Sequence, residues 1–166
     1  MVALCKLVEA LLFLCFLLHA ALVPILDAQV CLPSTLFPRA LVRLKDWYSS
    51  EYGDYLVAER PSFFTGLLWL NLSFLWPLSL ANLYAIIAGK SWLSTTALIH
   101  GVSLFTSMVA ILSELTASGR ASEKLMMVNC PFVAFAILSI LRGLFWHSTK
   151  TVSPGKRNAL RRKKRA

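Results

Sequence analysis

Charge is scarce in this chain. Only 15% of its 166 residues are Asp, Glu, Lys or Arg, against roughly 25% in a soluble domain, and the mean hydropathy is +0.65. The length suits one domain better than two. Carboxylates number eight, and from Pro61 to Gly89 there is no charged residue of either sign. The four cysteines, Cys5, Cys15, Cys31 and Cys130, form no CxxC pair, which argues against a metal site or a disulfide framework. They read as small hydrophobes, with Cys31 and Cys130 the one pair that could share a membrane side. Phosphate loop, HExxH, nucleophile elbow and EF-hand patterns are all absent. The sequence therefore assigns no catalytic, metal or cofactor residue, and no enzyme is expected.

What is present is apolar and comes in long runs. Leu7–Leu26, Phe63–Ala88, Ser91–Ser113 and Leu125–Trp146 are each long enough to cross a bilayer as a helix. The expected fold is all-α: a four-helix transmembrane bundle over residues 1–147, followed by a basic tail at 148–166. The first run competes with a signal-peptide reading, but its length of about twenty residues and the presence of Glu9, His19 and Pro24 favour a retained helix. Pro77 predicts a kink in the second span. Arg142, near the end of the fourth, is expected to snorkel toward headgroups. Between the first two spans, Leu36–Tyr52 carries Leu41, Leu44, Trp47 and Tyr48 at helical spacing and reads as an amphipathic cap or surface helix.

The charge of +9 is unevenly placed. Eight of seventeen Lys and Arg lie between Lys150 and Arg165 with no acid among them, and elsewhere nine basic residues face eight acids. Without aromatic interleaving or a basic folded face, nucleic acid is not an expected partner; anionic membrane lipid is. The flanking Lys and Arg place both termini in the cytosol and the long first link in the lumen. Lys163 and Lys164 fit a dilysine retrieval address for the endoplasmic reticulum membrane, which a receptor reads.

Polar side chains at membrane depth cost free energy and mark function. His19, Asn71 and His100 are the deep ones; each alone fits interhelical hydrogen bonding better than ligand contact. Asn71-Leu72-Ser73 is a glycosylation sequon in form, but it sits within an apolar run. Asp27 falls at the end of the first span, and Asp54 alone would be a solvated loop acid.

The pattern His19-x7-Asp27-x-Gln29-x2-Leu32-Pro33, then Phe37-Pro38, Trp47-Tyr48-x2-Glu51-Tyr52-x-Asp54 and Pro61-x-Phe63-Phe64, resembles the EXPERA family. The likeness is densest from His19 to Phe64. It implies a four-helix bundle of the endoplasmic reticulum, often a homodimer, acting in sterol homeostasis or trafficking beside a possible sterol-transport membrane protein. It also implies an intramembrane pocket for sterols or lipophilic cationic amines, with Asp27 pairing the ammonium and Asp54 supporting it through a shared proton, and with Gln29, His19, Asn71 and His100 in the polar lining. Asn71 stands where the receptor branch has a glutamate, Leu75 where it has a glutamine, and His100 where it has a tyrosine. A sterol-isomerase branch has the same architecture but needs glutamates near a deep histidine, which these spans lack. The alternatives are that isomerase and a membrane adaptor without a ligand.

Overall fold

The computed structural model describes residues 2–145; Lys163, Lys164 and the rest of the basic tail lie outside them. Four long helices dominate. The first, α1, is α-helical over Val2–Leu22, widens into a π turn over Val23–Asp27 and finishes with Ala28–Cys31. A 3-10 turn at Ser34–Leu36 leads to the shorter α2 (Arg39–Tyr52) and α3 (Tyr55–Glu59). The second long helix, α4, spans Ser62–Ile87, followed by α5 (Leu93–Ser118) and α6 (Glu123–Phe145). α1 from Lys6, α4, α5 and α6 are each long and apolar enough to cross a membrane.

The two faces of α1 show why the fold needs a bilayer. Leu12, Phe16, His19 and Val23 are buried, spaced by four, three and four residues along one helical stripe. Leu7, Leu11, Leu14 and Leu18 follow the same spacing on the opposite side and are each about half exposed or more. Ile87, Met127 and Phe145 are exposed still further. Apolar surface on this scale is not left to water in a soluble monomer.

Packing is closest between α5 and α6, where small residues let the backbones meet. A Cβ built on Gly101 would stand 2.8 Å from the Ala136 carbonyl oxygen, and one on Gly143 would stand 2.5 Å from Leu98 Cβ. With Ala97 and Ala136 fully buried in the same seam, dispersion replaces the hydrophobic drive that lipid cannot supply. The central core joins Leu12, Phe16, Leu75, Leu104 and Phe135. A second cluster at one end joins Val30, Leu56, Phe64, Leu68, Ile111, Leu115 and Leu125, and α2 and α3 cap that end.

Several boundaries differ from the sequence expectation. α1 runs on to Cys31, so Asp27 lies within the helix rather than at its end. α5 extends to Ser118, taking Glu114 into the helix, and ends at Gly119, whose φ of +63° suits a glycine. The apolar stripe of α2 divides: Leu41 and Tyr48 are half-buried, whereas Leu44 and Trp47 are exposed. Arg142 does not snorkel. It is buried, donating to Glu9 at 2.9 Å and to Ser94 Oγ at 3.1 Å, because the small seam of α5 and α6 leaves room for its side chain to turn inward. Cys31 and Cys130 are both free thiols, and Cys130 is exposed.

Candidate functional site

Both π turns have a local cause. Pro24 has no amide hydrogen, so the Ala20 carbonyl cannot receive its α-helical bond. Trp76 Nε1 on α4 donates to that oxygen at 2.9 Å instead. In α4 the π turn Asn71–Leu75 directly precedes Trp76 and Pro77, where the sequence predicts a kink. Single π turns are common at functional sites. Here the two lie side by side, and Asn71 Nδ2 in one donates to Asp27 Oδ2 in the other.

This pair forms part of the wall of a cavity of about 250 Å³ between the spans and the cap. That is larger than the roughly 150 Å³ that admits benzene in an engineered apolar cavity. The lining is mostly aliphatic and aromatic, including Leu26, Phe64, Leu68, Leu104, Met108 and Phe132. His19, Asp27, Asp54 and Asn71, all expected in the site, line this one space. Gln29 and His100 do not. Gln29 is buried behind the wall with its Nε2 donating to the Ile25 carbonyl, and His100 lies one layer deeper, fully enclosed.

Asp54 is not a solvated loop acid. It is 8% exposed and caps α3, its Oδ1 accepting from the amides of Leu56 at 3.1 Å and Val57 at 3.2 Å. Burial pushes the Asp54 carboxyl above its ordinary value, against the opposing pull of these donors. Burial likewise raises the Tyr48 phenol, helped by the charge of Asp54. No hydrogen bond joins Asp54 to Asp27 among the described residues: each carboxylate has its own partners.

Behind the wall lies a serine that inspection of single residues passes over. Ser79 Oγ sits 2.9 Å from His19 Nδ1 and 3.0 Å from His100 Nε2, and donates to the Leu75 carbonyl at 2.9 Å. Phe16 and Phe135 enclose the two rings edge-on or tilted. Lys45 is the other lining residue the sequence did not single out. Its side chain is 12% exposed, with Nζ 3.7 Å from Asp46 Oδ1. A signal for Ser79 was available: Asn71, Ser79 and Asn82 share one helical face of α4.

A half-buried acid is thus bridged to an amide across two π turns on a mostly apolar wall, and known proteins resemble much of the chain that forms it. The family model EXPERA (EXPanded EBP superfamily) matches residues 40–143. The chain belongs to the EXPERA family. Sigma intracellular receptor 2 of Homo sapiens is 36% identical over 107 residues, covering 64% of this chain and 61% of that protein. The Macaca fascicularis protein of the same name matches with the same identity and shares. The alignment thus spans about three-fifths of the length of these two relatives. The Xenopus tropicalis protein of that name is 25% identical over 153 residues, 84% of this chain and 90% of its own length. The EXPERA match takes in Asp54, Asn71, Ser79 and His100, and starts after His19 and Asp27.

Proposed function

We propose that this protein binds a lipophilic ligand, a sterol or a lipophilic cationic amine, in the cavity between its spans, and acts by binding rather than by chemical conversion. The observation that carries this reading is Asp27: one carboxylate, bonded to Asn71, on the wall of a mainly apolar space. In such surroundings an ionised acid draws a cation strongly, because little water competes for either charge. The apolar remainder of the wall suits a hydrocarbon body. The relatives' name, intracellular receptor, agrees with a binder. Residence in the endoplasmic reticulum membrane with cytosolic termini, homodimerisation and a role in sterol homeostasis belong to the same proposal. Microscopy against organelle markers and light scattering of the purified protein test the first and second of these.

Isomerisation would need an acid beside the deep histidines. His19 and His100 are bonded to Ser79, Asp54 is engaged by backbone amides, and Asp27, the acid that shares the cavity wall with His19, is bonded to Asn71 rather than to either ring.

The test is saturation binding of a tritiated lipophilic amine, and cross-linking of a sterol photoprobe, on purified protein. Asp27→Asn is expected to weaken amine binding at least about tenfold, as loss of a charge-assisted bond would. Asp54→Asn should weaken it less, since asparagine still caps α3. Amine and sterol binding that Asp27→Asn leaves unchanged would place the site elsewhere.

A further inference from the structure

We infer that α2 is an interfacial helix whose open face binds anionic phospholipid: Leu44 and Trp47 seat at the boundary of headgroups and acyl chains, and Arg39 and Arg43 take the lipid phosphate. The inference concerns the side of α2 that the bundle leaves uncovered and does not rest on the binding reading above.

The sequence gives α2 two unlike flanks. At about 100° per residue, Leu41, Tyr48, Leu44, Ala40 and Trp47 follow one another round an apolar arc of about 120°. Only Glu51, in the last turn, falls inside it, and Glu51 is drawn to Lys124. The bundle covers one half of the arc: Leu41 and Tyr48 are half-buried, and Tyr48 lines the cavity. The other half is open, with Ala40 exposed, Leu44 43% exposed and Trp47 56%. Leu36, in the turn before the helix, is open as well. The opposite flank carries Asp46, Ser49 and Ser50, and on the helix surface Arg39 and Arg43 stand between Trp47 and Asp46. One flank therefore carries the apolar surface of the bundle outward and the other is polar, which is how a helix lies between two media.

Short tethers hold α2 where those media meet. The first span ends at Cys31 and the next begins at Ser62, so residues 32–38 and Arg60–Pro61 keep the cap at the level of the span ends, which is the headgroup layer. None of the 14 residues of α2 is buried, and a helix of that length without a buried face is marginal in water. The bilayer supplies the surface that the bundle does not. A tryptophan on such a flank suits the headgroup level, where its amphipathic ring is preferred.

Charge selects the lipid. Arg39 and Arg43 are exposed one helical turn apart, and neither side chain has a hydrogen-bond or ion-pair partner among the described residues. Other cations at this end are engaged: Lys45 stands 3.7 Å from Asp46, Lys124 pairs with Glu51 and Arg120 with Glu59. Two open guanidiniums beside a tryptophan match the oxygens of a phosphate, which their planar forks bind in pairs. A phosphate in a lipid of net negative charge also gains from the positive field of both arginines, about fivefold for each one at the surface.

The experiment uses full-length purified protein in nanodiscs of phosphatidylcholine, alone or mixed with phosphatidylglycerol. Fluorine NMR of fluorotryptophan-labelled protein, with the Trp47 signal assigned by Trp47→Phe, compares a lipid spin-labelled near its headgroup with a water-soluble gadolinium chelate. The lipid label should broaden Trp47 more than the chelate does. Hydrogen exchange of α2 should slow about tenfold relative to α3 when phosphatidylglycerol is added, as two arginines on anionic lipid imply. The Arg39→Gln, Arg43→Gln double variant should lose that slowing, and Arg39→Lys, Arg43→Lys should keep part of it. Reading exchange within α2 separates this site from any lipid contact of the basic tail. Stronger broadening by the chelate overturns the inference and gives the open flank to water and a protein partner. Exchange that phosphatidylglycerol leaves unchanged, or slows equally in the glutamine variant, overturns the phosphate site. The wild-type measurements decide by themselves if the glutamine variant does not fold.

Discussion

At the scale of single residues, Asp54 shows how one carboxylate serves two ends. Its Oδ1 closes the first turn of α3, and its charge faces the cavity. The two uses separate by substitution. Asp54→Asn keeps an N-cap of nearly equal quality, whereas Asp54→Ala loses it at a cost of about 1 kcal/mol. The melting temperature of purified protein should therefore fall with alanine and hold with asparagine, while amine affinity falls with both. Equal melting temperatures for the two variants would mean that the cap bonds contribute nothing. The raised Asp54 carboxyl agrees with a group whose burial outweighs its donors, which sequence alone could not tell from a solvated loop acid.

At the scale of elements, the sequence made the long helices plain and their ends less so. Uncharged runs located α4 and α5 because a bilayer tolerates few charges, and Pro77 marked where α4 departs from α geometry. What stayed hidden came from pairing between elements. The Trp76 indole satisfies the carbonyl that Pro24 leaves open, Asn71 crosses to Asp27 and Ser79 joins two histidines. None of these can be seen until α1, α4 and α5 are side by side. His19, Asp27 and Asn71 were legible as polar exceptions in an apolar chain, and Asp54 only through the family resemblance; the placing of Gln29 and His100 behind the wall was not legible, since it depends on how the helices pack and, for Gln29, on the π turn before it.

The cap is held by contacts of another kind. Glu51 is paired with Lys124 at 2.8 Å and Glu59 with Arg120, while Arg120 also lies 4.2 Å from the centre of the Tyr55 ring. Ser122 donates to the Tyr52 carbonyl at 2.7 Å, and Tyr55 to Ser118 at 2.9 Å. Both ion pairs are about half exposed, so each contributes little alone. Their hydrogen bonds with Lys124 and Arg120 hold the Glu51 and Glu59 carboxyls below the ordinary glutamate value. A lowered carboxyl lends stability above its unfolded value and loses it as pH falls through the folded one. Hydrogen exchange of α2 and α3, corrected for intrinsic rates, should accelerate below about pH 4. The Glu51→Gln, Glu59→Gln double variant should show that faster exchange already at pH 7. A double variant as protected as wild type at pH 7 would remove the ion pairs from the account of the cap.

At the scale of the whole molecule, the cap end and the opposite end of the bundle are organised differently. The cap end encloses the cavity and is tied down by exposed pairs. Near the other end, Arg142 is buried and reaches across to Glu9 of α1 and Ser94 of α5, so one guanidinium links the first, third and fourth spans. A buried cation deprived of its partner is costly, whereas a pair removed together often is not. Glu9 is 39% exposed, which screens the pair and reduces the expected coupling to about 1 kcal/mol. Glu9→Gln should lower the melting temperature, Arg142→Met should lower it further because the Ser94 bond is also lost, and the double variant should be more stable than the sum of the two losses predicts. Strict additivity would show that Glu9 contributes nothing to holding Arg142. Non-additivity without any change in amine binding would show that this end secures the arrangement of the spans while the cavity end binds.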